Sequence, residues 1–202
     1  ERLVGHFPRG LNIYYIDDSA VARQLVERNL STRAHPQTVR TFGEVPAEAE
    51  AFVAAVLADG HIAILDQNLE FESQTVLGSD LVRELIANRY PGLLCIRSAN
   101  GSESDQALYR ASGAHCFLDK GLAPAEMVQR VTSAYWSNEV RTSEARSSSE
   151  LLQAEGAGAS RERQERYKAP LRRARRFSKA VQPRTFDTLP GLVSHRSSSF
   201  TG

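Results

Sequence analysis

The feature that most constrains the fold of this chain is a fivefold alternation of short strand-forming runs with longer amphipathic stretches, between residues 11 and 138. A connection between parallel strands must place its helix on a face of the sheet, so strict alternation predicts a parallel sheet that is covered on both faces. The predicted class is α/β, a doubly wound five-stranded parallel sheet with five helices. The predicted strands are residues 12–16, 39–42, 62–65, 93–96 and 116–118.

Residues with helix-capping and helix-breaking properties mark the ends of the predicted helices. Ser19 and Ser102 are placed to cap the first and the fourth helix. Pro46 and Pro124 open the second and the fifth helix, because proline is tolerated in the first helical turn. The segment 67–77 is polar and is predicted to be a long loop.

The charge of the chain divides at about residue 140. Residues 1–140 carry 12 Lys and Arg against 18 Asp and Glu, a net charge of −6, whereas residues 141–202 carry 13 against 6, a net charge of +7. The basic part lacks the apolar density that a core requires. The predicted organisation is a linker at 1–10, a folded domain at 11–138 and a disordered Arg/Ser-rich tail at 139–202.

The basic tail has the charge needed to bind nucleic acid or an acidic surface through counterion release, without sequence preference. It contains few aromatic side chains and no motif of a folded nucleic-acid reader. A solvated tail is therefore the favoured interpretation, and weak non-specific binding is the alternative.

Cysteine usage and hydropathy indicate the compartment. Cys95 and Cys116 lie in predicted strands without metal-ligand spacing and are expected to be reduced core residues. No apolar run approaches the roughly 18 residues of a membrane span, and the N-terminus has no signal-peptide pattern. These features predict an intracellular, cytoplasmic protein. Because Met127 is the only methionine, the chain is also expected to be a fragment of a longer protein.

Chemically active side chains follow the ends of four predicted strands. Asp17 and Asp18 follow the first strand, Asp66 follows the third, and the last two strands lead to Ser98 and Lys120. The carboxyl ends of parallel strands share one edge of the sheet, where ligands bind in open α/β folds. Three neighbouring acids repel one another unless a cation lies among them, and the oxygen coordination of Mg²⁺ suits such a set. A carboxylate beside Mg²⁺ can accept a phosphoryl group, which a hydroxyl and an ammonium would then bind.

With these residues in place, the stretch from Leu11 to Tyr135 resembles the receiver domain of two-component response regulators and hybrid histidine kinases. The resemblance implies a flavodoxin-like strand order of 2-1-3-4-5, with the site where the order reverses between strands 1 and 3. The residues that carry the resemblance are, in chain order, Asp17-Asp18, Asp66, Ser98-Ala99, Phe117 and Lys120.

The resemblance also implies a role for each of these residues. Asp66 is then the phosphoacceptor, Phe117 is the aromatic side chain that rotates inward, and Lys120 binds the phosphoryl group. The implied ligands of Mg²⁺ are Asp17, Asp18, Asp66 and the backbone carbonyl of Asn68. The residues implied in phosphate binding and switching are Ser98, Ala99, Phe117 and Lys120.

The implied function is that of a phosphoacceptor in a two-component phosphorelay, which switches conformation when it is phosphorylated. The implied partner is a histidine kinase or a histidine phosphotransfer protein, in the same chain or in a separate one. The domain itself would gain and lose the phosphoryl group. Histidine kinase activity would belong to a parent chain, a hybrid sensor histidine kinase of which this sequence is a C-terminal fragment.

The sequence departs from the receiver pattern at two places. Gly121 follows Lys120 where receivers usually have proline, and the loop from residue 66 to residue 78 is longer than is common and lacks its usual proline. Two alternatives stay open. One is a degenerate receiver that acts as a protein-binding module, and the other is an aspartyl-phosphate phosphatase, although Asn68 stands where the second acid of such an enzyme would be.

Overall fold

The structure, a computed structural model, describes residues 6–145 and 147 of the 202-residue chain. Its twelve elements alternate between strands and helices except at one place, where three short strands follow one another. In chain order they are β1 (Asn12–Ile16), α1 (Ala20–Arg33), β2 (Thr38–Phe42), α2 (Glu48–Asp59), β3 (Ile62–Asp66), β4 (Asn68–Glu70), β5 (Thr75–Leu77), α3 (Gly78–Ala87), β6 (Leu93–Ser98), α4 (Glu103–Ser112), β7 (Cys116–Asp119) and α5, which is helical from residue 124 to residue 145.

The strands β2, β1, β3, β6 and β7 lie side by side in that order, and every pair is parallel. This is the predicted order 2-1-3-4-5, since β6 and β7 are the fourth and fifth strands of the sheet. Ile13 of β1 pairs with Val39 on one side and with Ile62 on the other, so the order reverses between β1 and β3. The doubly wound, flavodoxin-like fold class is therefore confirmed, and in folds of this class ligands bind at the carboxyl ends of the strands where the order reverses.

The two faces of the sheet bury two separate apolar clusters because side chains alternate along each strand. Tyr14 and Ile16 of β1 contribute to the cluster beneath α2, α3 and α4. Ile13 and Tyr15 contribute to the cluster beneath α1 and α5. Both faces are thus covered, as the alternation of strands and helices predicts.

Two of the predicted caps fix helix ends at the carboxyl edge of the sheet. The Ser19 hydroxyl accepts the N–H of Ala22 at 3.3 Å and caps α1. The Ser102 hydroxyl accepts the N–H of Asp105 at 3.2 Å and caps α4. Each satisfies a backbone donor that the helix itself leaves unpaired.

Two histidines support the opposite edge of the sheet, at the amino ends of the strands. The N–H of Asn12 donates to Nδ1 of His61 at 3.1 Å, and the N–H of Leu94 donates to Nδ1 of His115 at 3.1 Å. Burial, aided by the charge of Arg141, lowers the pKa of His115. The neutral ring that results is the form that can accept a backbone hydrogen bond.

The structure corrects the prediction in two segments. The predicted loop 67–77 contains the antiparallel strands β4 and β5, which form a hairpin. The helix α5 continues through residue 145, past the predicted domain end at 138, whereas the rest of the predicted tail lies outside the described residues. Within residues 6–145 and 147, no helix combines the length and the apolar character that a membrane crossing requires.

Candidate functional site

Three carboxylates meet at the carboxyl edge of the sheet. Asp17 and Asp18 follow β1, and Asp66 is the last residue of β3. One oxygen from each lies within 4.8 Å of the other two, close enough for a single cation to contact all three. Asp17 is fully buried and Asp66 is 3% exposed, so neither charge is well solvated.

Lys120 brings an ammonium group into the acid cluster. Its Nζ lies 2.9 Å from Oδ2 of Asp66 and 3.3 Å from Oδ2 of Asp17. Burial raises the pKa of Asp66 to about 6, the Lys120 contact opposes that rise, and the neighbouring acids add to it. Although burial alone would lower it, the contacts with Asp66 and Asp17 raise the pKa of Lys120, which favours the charged form of this side chain. One ammonium therefore bridges two carboxylates of the cluster.

The carboxylate of Asp17 is held by donors on both oxygens. Its Oδ1 accepts the N–H of Ser19 at 2.9 Å. Its Oδ2 accepts the hydroxyl of Tyr15, which lies two residues earlier on the same face of β1. The Tyr15 hydroxyl in turn accepts a hydrogen bond from Nη1 of Arg97 at 3.1 Å. Besides the half-buried Lys120, Asp17 is thus connected to a second cation, the buried Arg97.

The loop that carries Asp17 and Asp18 is shaped by Arg23 and by a glycine after β2. Nη1 of Arg23 donates to the carbonyl oxygens of Asp17 at 2.8 Å, Asp18 at 3.0 Å and Gly43 at 3.0 Å. Gly43 has a φ of +110°, and a Cβ there would lie 2.4 Å from the Asp17 carbonyl oxygen. Only glycine allows this close approach, which sets the position of the acid pair.

The β4–β5 hairpin lies beside the acid cluster and contacts it directly. The N–H of Glu70 donates to Oδ2 of Asp18 at 3.2 Å. The fully buried side chain of Leu69 anchors the hairpin on the core. Asn68, whose backbone carbonyl is implied as a metal ligand, is the first residue of β4 and comes two residues after Asp66. The hairpin therefore fixes the segment from which that carbonyl would reach the site.

Ser98 and Phe117 are linked through a tyrosine of α4. The Ser98 hydroxyl accepts the N–H of Asn100 at 3.1 Å and the hydroxyl of Tyr109 at 3.3 Å. The ring of Tyr109 stacks on that of Phe117 with 5.8 Å between the ring centroids. Ser98 is buried, whereas Ala99 is exposed at the start of the loop that leads to α4. A change in the position of the Ser98 hydroxyl would thus alter the packing of the partly buried Phe117 ring through Tyr109.

The glycine that replaces the usual proline after Lys120 has a structural explanation. The N–H of Gly121 donates to the Asp119 carboxylate at 2.6 Å, a hydrogen bond that proline cannot make. The N–H of Lys120 donates to the carbonyl oxygen of Ser98 at 2.9 Å. These two bonds hold the loop that presents the Lys120 side chain.

The structure brings four of the eight predicted site residues into direct proximity, whereas Ser98, Ala99 and Phe117 lie outside this cluster. Asp17, Asp18, Asp66 and Lys120 form one cluster, with Asn68 in the adjoining hairpin. Four side chains that hold these groups in place were not predicted from the sequence. These four are Tyr15, Arg23, Arg97 and Tyr109.

Two of the missed residues left a signal in the sequence. Tyr15 lies two positions before Asp17, and alternation along a strand places the two side chains on the same face. Arg97 interrupts an otherwise apolar buried strand immediately before Ser98, and a charge in such a strand requires a partner. Arg23 and Tyr109 contact the site from helices, and no local pattern predicts which helical side chains reach it.

No protein-family model and no curated protein sequence matches this chain. Solved structures do match it. They include the signal receiver domain of NarL from Mycobacterium tuberculosis, with 22% identity, a TM-score of 0.52, and coverage of 61% of this chain and 94% of that one. A signal receiver domain from Vibrio parahaemolyticus has 16% identity, a TM-score of 0.55, and coverage of 65% and 95%. A CheY-like response regulator receiver domain protein from Methanospirillum hungatei JF-1 has 15% identity, a TM-score of 0.54, and coverage of 65% and 98%.

The domain is a doubly wound α/β domain whose acid cluster lies where the strand order reverses. At identities between 15% and 22%, the likeness to solved structures concerns the fold. Because the matched structures are receiver domains that are covered almost completely, the described domain has the fold of a response-regulator receiver domain. This confirms the resemblance that the sequence motifs indicate.

Proposed function

We propose that this domain accepts a phosphoryl group on Asp66 from a phosphohistidine and changes conformation in response. The observation that carries the proposal is the position of the Lys120 ammonium, 2.9 Å from Asp66 and 3.3 Å from Asp17 within the acid cluster. A cation at that point can bind a phosphoryl oxygen as soon as Asp66 is modified. The receiver fold supports the same function.

Mg²⁺ is the cofactor that fits the site, because three carboxylate oxygens lie within 4.8 Å of one another and oxygen ligands suit this hard cation. Asp17, Asp18, Asp66 and the carbonyl of Asn68 would hold it. When bound, Mg²⁺ supplies positive charge that neutralises the phosphoryl oxygens and favours the ionised form of Asp66.

Three residues of the chain then have separate roles in phosphoryl transfer. A carboxylate oxygen of Asp66 forms a bond to phosphorus while the bond from phosphorus to the histidine nitrogen of the donor breaks. The Lys120 ammonium binds one phosphoryl oxygen, and the Ser98 hydroxyl donates to another. The transfer leaves an acyl phosphate on Asp66.

The Ser98 hydroxyl also connects the site to the surface near α4. Ser98 now accepts a hydrogen bond from Tyr109, whose ring stacks on Phe117. Reorientation of Ser98 towards a phosphoryl oxygen would disturb the Tyr109 hydroxyl and so the Phe117 ring. Phe117 thereby takes the switching role that the resemblance implies, and Ala99, the residue after Ser98, keeps its implied role in phosphate binding and switching. The partner that supplies the phosphoryl group is a histidine kinase or a histidine phosphotransfer protein.

Phosphorylation by a small donor tests this proposal. The full chain, incubated with Mg²⁺ and acetyl phosphate, should gain one phosphoryl group that hydroxylamine removes, as it removes acyl phosphates. Asp66→Asn should abolish the gain because it removes the nucleophile, and chelation of Mg²⁺ should prevent it. Intact-mass spectrometry measures the modification.

Asp80→Asn is the matched control, because Asp80 is an exposed acid that pairs with Arg83 outside the cluster. The Asp80→Asn variant should gain the phosphoryl group to the same extent as the unmodified chain. Phosphorylation that persists in Asp66→Asn, or that needs no divalent metal, would overturn the proposal. Mg²⁺ binding without any phosphorylation would instead favour a protein-binding module of receiver fold.

A further inference from the structure

Arg97 is a buried cation at a place where the strand pattern calls for an apolar side chain. It lies in β6, whose six residues are all buried, and it is 8% exposed. Its register partner in β3 is Asp66, the proposed phosphoacceptor. A guanidinium at this depth has little access to water and needs polar partners.

The partners of Arg97 connect it to both sides of the site. Its Nη1 donates to the Tyr15 hydroxyl at 3.1 Å and lies 3.8 Å from Oδ2 of Asp17. Its Nη2 donates to the Lys120 carbonyl oxygen at 3.4 Å. Within the described part of the chain, Nε of Arg97 has no hydrogen-bond partner. The guanidinium is thus fixed beside the acids without making an ideal ion pair, and its charge is only partly compensated.

The formal charge of the site depends on this residue. Three carboxylates and the Lys120 ammonium sum to −2, and the Arg97 guanidinium brings the total to −1. A less negative site attracts a divalent cation less strongly. A phosphorylated aspartate carries about one more negative charge than the free carboxylate, so the phosphorylated site with Mg²⁺ bound would then be close to neutral.

We propose that Arg97, anchored by Tyr15, is a built-in counter-charge that weakens Mg²⁺ binding to the unphosphorylated site and stabilises the phosphorylated site. This inference rests on the proposed function, since it concerns the same Mg²⁺ ligands. Arg97 is a positioning and charge-balancing residue, because it acts through Asp17 and Lys120. The charge of the site, not the number of carboxylates, then sets its affinity for the metal.

Calorimetric titration of the full chain with MgCl₂ in metal-free buffer tests the inference. Arg97→Gln removes the charge and keeps an amide that can donate to the Lys120 carbonyl. Its dissociation constant for Mg²⁺ should fall by about three- to tenfold relative to the unmodified chain, as expected for the loss of one nearby charge. After phosphorylation, its acyl phosphate should hydrolyse faster. Circular dichroism confirms the fold before titration, and Arg97→Met replaces the glutamine variant if that variant does not fold.

Two control variants separate the charge from other effects. Arg97→Lys keeps a cation and should bind Mg²⁺ within about twofold of the unmodified chain. Arg28→Gln removes an exposed arginine of α1 and should leave the affinity unchanged because solvent screens that charge. If both Arg97→Gln and Arg97→Lys bind Mg²⁺ more weakly than the unmodified chain, the guanidinium of Arg97 has only a structural role.

The outcomes distinguish this inference from the proposed function. If the unmodified chain binds Mg²⁺ and Arg97→Gln binds it equally or more weakly, the role of Arg97 is wrong and the magnesium site stands. If neither protein binds Mg²⁺, the proposed magnesium site and the proposed role of Arg97 are both wrong. Binding that appears only in Arg97→Gln would support the role of Arg97 in its strongest form.

Discussion

Asp66 is 3% exposed and lies beside two other carboxylates, so its ionised form is unfavourable in the folded protein. Burial raises its pKa to about 6, and the unfolded chain therefore releases this proton at lower pH than the folded chain does. The contribution of Asp66 to stability is present at low pH and is lost as the pH rises through about 6. At neutral pH without metal, the ionised side chain costs free energy.

Asp66→Asn is accordingly expected to stabilise the metal-free protein at pH 7.5, by about 1–3 kcal/mol, since each pKa unit corresponds to about 1.4 kcal/mol. The advantage should shrink as the pH is lowered from 7 to 4. Urea unfolding at several pH values measures it, with Asp80→Asn as the control for an exposed acid. Mg²⁺ should stabilise the unmodified chain and not the variant. A variant that is less stable at every pH would contradict this account of the site.

The sequence predicted the acids and Lys120 because each follows the end of a strand, where chain order alone assigns it to the carboxyl edge. It did not predict the Tyr15–Arg97 contact. These residues are 82 positions apart, and their contact depends on the spacing between neighbouring strands and on the length of an arginine side chain. The Tyr109 contact with Ser98 was missed because α4 presents several polar residues, and only packing decides which of them turns inward.

Among the elements, the β4–β5 hairpin was missed for a different reason. Its strands have three residues each, and in each strand only the central side chain points towards the core. Because the other residues are exposed, the segment has the composition of a loop. Leu69 is the buried anchor of β4, and Val76 packs against the same cluster from β5. A two-stranded hairpin is marginal alone, and here it is stable only because the core accepts these side chains. The local sequence pattern could not show that the core has space for the side chains of Leu69 and Val76.

Gly78 allows the hairpin and α3 to approach β3, the strand that ends in Asp66. A Cβ at Gly78 would lie 2.2 Å from the backbone carbonyl oxygen of Asp66, a contact that neither backbone can avoid without moving. Gly78→Ala is therefore expected to destabilise the protein by about 1–3 kcal/mol, even though alanine is the better helix former. It should also weaken Mg²⁺ binding, because Asp66 must shift.

Urea unfolding and calorimetric Mg²⁺ titration of Gly78→Ala measure the two effects. Ser31→Ala is the matched control, since Ser31 is exposed on α1 and the change removes only a hydroxyl. An alanine variant of Gly78 with unchanged stability and affinity would mean that the hairpin and Asp66 are not tightly packed.

At the scale of the whole molecule, the two apolar clusters that cover the sheet are built from described residues between Phe7 and Tyr135. Removal of residues 148–202 should therefore shift the unfolding midpoint by less than about 5 °C, which corresponds to roughly 1 kcal/mol for a domain of this size. A larger loss would show that this segment docks on the domain. Thermal unfolding followed by circular dichroism measures the midpoint.

A shorter chain that ends at residue 134 provides the comparison. It removes Trp136, whose indole N–H donates to the His6 carbonyl oxygen at 3.2 Å, and Asn138, whose amide donates to the Pro91 carbonyl oxygen at 3.5 Å. This chain should unfold at a clearly lower temperature than the chain that ends at residue 147. The difference would show that residues 135–147 contribute to the stability of the folded domain.

The hydrogen bonds that His61 and His115 accept lie at the amino ends of the strands, one full strand length from the carboxylates. A substitution at either histidine would lower the fraction of molecules that are folded and leave each folded molecule with the same acids, the same lysine and the same reaction rates. In a cell such a change would lower the concentration of folded protein without changing the reaction rates of each folded molecule. Under the proposed function, loss of the Lys120 ammonium at the opposite edge would instead alter how long each folded molecule stays phosphorylated.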